Sequence, residues 1–94
     1  MKIVTIDPCF TKGDENLFSG EVELGIVKIT PLAIDELKKH FDSVQAGPDN
    51  EMIIITNPPV EKIIVFNTGR IMIRRVASKG LAINRFEILE KILI

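Results

Sequence analysis

Residues 60–76 read VEKIIVFNTGRIMIRRV, and the rest of the chain takes its place around them. Two apolar runs, Val60–Phe66 and Ile71–Val76, flank the tetrad Asn67-Thr68-Gly69-Arg70. β-Branched residues dominate both runs, and a branched Cβ suits a pleated strand better than the crowded turn of a helix. The tetrad holds residue types that tight turns use, above all a glycine. The stretch therefore predicts an antiparallel hairpin. Side chains alternate across a strand, so Ile63 and Val65 share a face with Ile71 and Ile73. That aliphatic set is expected beneath helices. Lys62, Ile64, Phe66, Arg70, Met72 and Arg74 fall on the other face, which is apolar in the middle and basic around it.

Upstream, Met52–Thr56 is an unbroken apolar run, expected as a strand that is central or covered on both faces. Asn57-Pro58-Pro59 is a hard corner and Asp49-Asn50 a turn. Thr30-Pro31 opens a helix, with Thr as N-cap and Pro at the first position, where its missing N–H costs nothing. Ile34, Leu37, Phe41 and Val44 then recur at helical spacing, and Gly47-Pro48 ends the run, so a helix is expected over about 31–45. Nearer the N-terminus, Lys2–Ile6 reads as a short strand stopped by Asp7-Pro8. Residues 11–16, TKGDEN, read as a turn or mobile loop anchored by Phe10 and Phe18. Glu21–Ile29 reads as a strand whose parity changes beside Gly25, which predicts a bulge or bend.

Downstream, Ser78 is placed to cap a last helix. Leu81, Ala82, Phe86, Leu89, Ile92 and Leu93 form its apolar face, and Glu87, Glu90 and Lys91 its wet one. The order β-β-α-β-β-β-α predicts an α+β fold, an antiparallel sheet with two helices packed on one face, in a single domain spanning 1–94. Two helices cannot cover both sides of such a sheet, so one face should stay open and meet a partner.

Composition narrows the function classes. The net charge of −1 argues against general coating of nucleic acid or attraction to a membrane surface. Charge is unevenly spread: Asn67–Phe86 holds Arg70, Arg74, Arg75, Lys79 and Arg85 and no acid, while the first thirty residues lean acidic. A lone cysteine, Cys9, forms no internal disulfide and fits a reducing, cytoplasmic setting, where it is expected as a buried hydrophobe. His40 suits a cation at a helix C-terminus better than catalysis, since no nucleophile or second metal ligand stands at a recognisable spacing. Arg74, Arg75, Ser78, Lys79 and Gly80 gather at the start of the last helix. Arg75, Ser78, Lys79 and Gly80 form a candidate anion site there, without the spacing of a phosphate loop.

From about Ile29 onward, roughly two-thirds of the chain, the pattern resembles one half of a TATA-box-binding protein. The stretch EKIIVFNTGRIMI carries the resemblance. It looks like that family's apolar strand ending in Phe, its turn with Gly and a following basic residue, and its second strand, with Pro59 in the preceding turn. The resemblance implies that Ile64, Phe66, Arg70 and Met72 lie on a concave face laid against a minor groove, Phe66 where the family keeps a base-step wedge. Lys62 and Arg74 depart from the family's small or apolar groove residues. No aromatic stands near Asp49-Asn50 for a second wedge, and no Gln-Asn pair precedes the first helix. The family has two tandem halves, so the same binding by this chain implies a homodimer. Similar half-saddle units also serve as docking domains beside nucleic-acid enzymes.

The expectation is thus a non-enzymatic binding module, without cofactor or metal, that contacts nucleic acid through Lys62, Ile64, Phe66, Arg70, Met72 and Arg74. A protein partner or a homodimer on the same face is the alternative, and a small anion at the last helix start is the third reading.

Overall fold

The computed structural model describes residues 2–9, 17–58 and 60–94. The expectations for Phe10, the 11–16 loop and Pro59 lie outside the described residues. The elements are β1 (Lys2–Pro8), β2 (Phe18–Glu23), α1 (Pro31–Lys38), β3 (Ser43–Ala46), β4 (Met52–Asn57), β5 (Glu61–Phe66), β6 (Arg70–Val76) and α2 (Lys79–Leu93). All six strands join one antiparallel sheet in the order β1-β2-β6-β5-β4-β3. The fold is α+β with two helices, as the sequence predicts, and has one short strand more.

The β5–β6 hairpin forms as its turn chemistry dictates. Gly69 takes φ 94 and donates its N–H to Phe66 O at 2.9 Å, which closes the turn. Its carbonyl accepts from Leu24 N–H at 2.8 Å, so the turn also locks onto the end of β2. The backbones approach so closely there that a Cβ on Gly69 would stand 1.7 Å from the Gly25 carbonyl oxygen. Gly25, at φ 86, is the bend foreseen by the parity change, and β2 ends before it, at Glu23. Asp49 and Asn50, at φ 57 and 54, make the β3–β4 turn. Paired positive φ values match the twist of a hairpin, and Asp and Asn tolerate them better than other side chains.

Both helices start at the expected caps. Thr30 Oγ1 accepts from Ala33 N–H and Ser78 Oγ from Leu81 N–H, each at 3.1 Å. The first helix, however, stops at Lys38 rather than 45. Phe41 N–H still reaches back to Leu37 O at 3.0 Å, and the ring enters the core. Beyond it the chain turns into β3, where Val44 sits opposite Ile55. Val44 is buried, as its periodic position requires, but by a strand. The unpaired edge of β4 offers ladder hydrogen bonds that a further helical turn would forgo. β1 likewise runs past Ile6 to Pro8, which proline permits on an edge strand.

Burial alternates along β4, β5 and β6 as far as Arg74. Ile53, Ile55, Ile63, Val65, Ile71, Ile73 and Val22 are sealed on the face under the helices, together with Ala82, Phe86 and Leu89 of α2. β4 follows the same alternation and is not covered on both faces. Gly20 matters here for space: a Cβ would lie 3.3 Å from the Phe86 ring and 3.2 Å from Ile6.

The two turn glycines separate conformational strain from collision. Gly25→Ala pays only for its positive φ, about 1 kcal/mol, since nothing lies near the added methyl. Gly69→Ala pays that and must also force two backbones apart, so a loss of roughly 3 kcal/mol or more is expected. Urea denaturation midpoints of the two variants test the ranking.

Candidate interaction surface

The face turned away from the helices is built in cross-strand rows. Its central row runs Gln45–Ile54–Ile64–Met72–Glu21–Thr5, from β3 to β1. On one side Met52 stands opposite Phe66 and Glu23 opposite Arg70; on the other lie Ser43, Thr56, Lys62 and Arg74. Met52, Ile54, Ile64, Phe66 and Met72 are half-buried. They shelter one another sideways, because cross-strand neighbours on one face are close enough to touch. The six residues singled out in the sequence for this face, Lys62, Ile64, Phe66, Arg70, Met72 and Arg74, do share it.

Its electrostatics differ from a basic rim. Arg70 Nη2 donates to Glu21 Oε1 at 2.7 Å. That hydrogen bond and the charge of Glu21, with a smaller push from Glu23, hold the guanidinium pKa above its ordinary value. The positive charge of Arg70 is therefore already answered from β2. Lys62 and Arg74 sit directly opposite one another, and their side chains have no hydrogen bond or ion pair with any described residue. Like charges so placed destabilise a sheet unless an anion comes to them. Arg75 joins them through a bulge in β6: Ile73 pairs with Gly20 and Val76 with Phe18, so Arg74 and Arg75 both stand against Ser19. Arg75 takes φ 59 to do this.

A cleft of about 470 Å³ opens beside this end, lined by Thr5, Asp7, Cys9, Glu21, Met72 and Arg74 among others. Its charges are of both signs. Cys9 is half-buried there, with its Sγ 3.0 Å from Ser19 Oγ. A larger groove of about 850 Å³ lies between α1 and the end of α2, with Leu32, Ile88, Ile92 and Ile94 on its walls and Glu36 and His40 at its rim. His40 lies just past the C-cap of α1, Lys39, its Nε2 3.9 Å from Glu36 Oε1.

The candidate anion site is not assembled as one cleft. Arg75 lines the smaller of these two clefts, on the sheet side, whereas Ser78, Lys79 and Gly80 line neither. Ser78 Oγ is already engaged as the helix cap. Among the described residues no three His, Cys, Asp or Glu side chains converge in a way that suits a metal ion.

Arg85, the last cation of the basic stretch, points elsewhere. Its Nε lies 3.3 Å from Glu61 Oε2, and its guanidinium sits 5.9 Å from the centre of the Phe41 ring. Asn57 Nδ2 also donates to Glu61, and Asn57 Oδ1 accepts from Asp42 N–H at 3.0 Å. This latch joins α2 to the start of β3, the end of β4 and the start of β5. Neither it nor the Glu21–Arg70 pair is visible in the sequence, since both depend on which strands and helices are neighbours.

No protein-family model matches the chain, and no curated protein or solved structure is similar enough to count as a match. No described helix is long and apolar enough to cross a membrane.

The Glu61–Arg85 contact should behave as a structural tie. With the Glu61 side chain only 10% exposed, Glu61→Ala and Arg85→Ala are each expected to cost about 1–3 kcal/mol, with a coupling near 1 kcal/mol in a double-mutant cycle. Additive losses would mean that the two side chains do not act as a pair.

Proposed function

We propose that the protein is a non-enzymatic protein-interaction module whose open sheet face is the contact surface. One observation carries this reading: five apolar side chains, Met52, Ile54, Ile64, Phe66 and Met72, form a contiguous stripe with no described helix over it and charges of both signs at its margins. An apolar centre within a polar rim is the anatomy of a protein–protein contact. The partner of best fit has an apolar centre of its own and a carboxylate to meet Lys62 and Arg74.

The Lys62–Arg74 pair favours a second reading, contact with nucleic acid, in line with the resemblance carried by residues 61–73. Phe66 and Met72 would then stack on or wedge between bases, and the cations would neutralise phosphates. With Arg70 engaged by Glu21, such binding would rest mainly on Lys62 and Arg74. Its logarithmic salt slope would be only about 1.4 for a single strand.

A photo-reactive phenylalanine at position 66, with a second at position 87 on the wet side of α2 as control, separates the readings in cells. The protein reading expects protease-sensitive adducts from position 66 alone, reduced at least tenfold by Ile64→Glu or Met72→Glu. Nuclease-sensitive adducts, or equal yields from both positions, would overturn it. Glu21→Gln gives an independent check, by releasing Arg70. It should strengthen retention on mixed-sequence oligonucleotides at low salt only on the nucleic-acid reading, and leave adducts from position 66 unchanged on the protein reading.

A further inference from the structure

β1 ends the sheet. It pairs with β2 along one edge, and no described strand pairs with the other. Natural edge strands are usually blunted by brevity, proline or charge. β1 is seven residues long, has its proline at the last position, and between Lys2 and Asp7 carries only Ile3, Val4, Thr5 and Ile6. Ile3 and Val4 are 46% and 49% exposed.

The edge does contain a bulge. Ile3 pairs with Val22 and Thr5 with Glu21, which leaves Val4 as the extra residue. The bulge redistributes the side chains. Lys2, Thr5 and Asp7 stand opposite Glu23, Glu21 and Ser19, on the open face. Ile3 and Ile6 stand opposite Val22 and Gly20, on the helix face. Ile6 packs against the core, while Ile3, on the same face, is left half bare.

This arrangement is complementary to itself. We infer that β1 is a homotypic edge, pairing antiparallel with β1 of a second copy about a two-fold axis that passes between Val4 and Thr5, perpendicular to the sheet. In that register Lys2 meets the partner's Asp7 and Ile3 meets the partner's Ile6, twice each by symmetry. Open-face residues meet open-face residues, and helix-face residues meet helix-face residues. The two bulges flank the axis, so neither strand must pair across a bulge in a straight partner. A slip of one residue would set Ile3 against Asp7 or Thr5 and lose both the charge and the apolar match. The axis keeps all helices on one side and joins the two open faces into one surface. This pairing is distinct from contact through the open face itself. It buries a single strand edge, so a weak, concentration-dependent dimer is expected.

Sedimentation velocity of the full chain between about 10 μM and 1 mM tests this, in the range set for small interfaces. The wild type should pass from monomer to dimer. Ile3→Glu should weaken the dimer at least tenfold while circular dichroism and the urea midpoint stay put. Lys2→Glu and Asp7→Lys should each weaken it about fivefold, and the double variant should return to the wild-type value. This swap touches no packed side chain, so it remains informative if Ile3→Glu disturbs folding. Phe66→Glu should leave the dimer intact. A wild type that is monomeric throughout, a dimer lost on Phe66→Glu but not on Ile3→Glu, or a double swap no better than the singles would each overturn the inference.

Discussion

Six strands present two faces to water, and among the described residues only α1 and α2 are there to cover them. That imbalance shapes everything on the surface. Alternation sends Ile53, Ile55, Ile63, Val65, Ile71 and Ile73 under the helices, and Phe86 seals them over the gap left by Gly20. The same alternation must send Ile54, Ile64, Phe66 and Met72 the other way. A chain that needed only a stable sheet would carry threonine or charge at those positions, as half-solvated antiparallel strands usually do. Here the outward set stays apolar through the three central strands.

The bulge in β6 shows how the charged end of that face arises. Unbroken alternation after Ile73 would turn Arg75 toward the helix side and Val76 toward water. Holding a non-glycine residue at positive φ costs about 1–2 kcal/mol, whereas sealing a guanidinium in the core costs several. The cheaper solution places Arg74 and Arg75 outward together and returns Val76 to the core. Lys62 and Arg74 then face each other across β5 and β6. That juxtaposition persists because both side chains are long and exposed, and like charges are screened there.

Much of this was legible in the residues. The hairpin, its turn glycine, both helix caps and the composition of the open face follow from local rules, because each depends on residues a few positions apart. The end of α1 was not legible. Ile34, Leu37, Phe41 and Val44 fit a helix well, and only the free edge of β4, distant in sequence, draws residues 43–46 into a strand instead. The electrostatics were hidden for the same reason. In the sequence Glu21 and Glu23 are simply part of the acidic first thirty residues. They become neighbours of Arg70 only because β2 docks beside β6 rather than beside an element nearer in the chain. Glu61 and Arg85 are also far apart in sequence, and no local pattern pairs them.

Sheet order also decides what kind of molecule the open face suits. Adjacent strands lie about 4.8 Å apart, so Glu21 stands one strand from Met72, and Asp7 borders the same cleft as Arg74. A polyanion laid along the stripe would bring phosphates within the screening length, about 8 Å at physiological salt, of those carboxylates as well as of Lys62 and Arg74. Attraction at one end would be offset by repulsion at the other. A protein surface is not bound to one sign of charge. It can set an acid against Lys62 and Arg74, leave the Glu21–Arg70 pair undisturbed, and cover Ile64, Phe66 and Met72 between them. On the proposed reading, the salt bridge that β2 contributes is what would favour polypeptide over phosphate on this face.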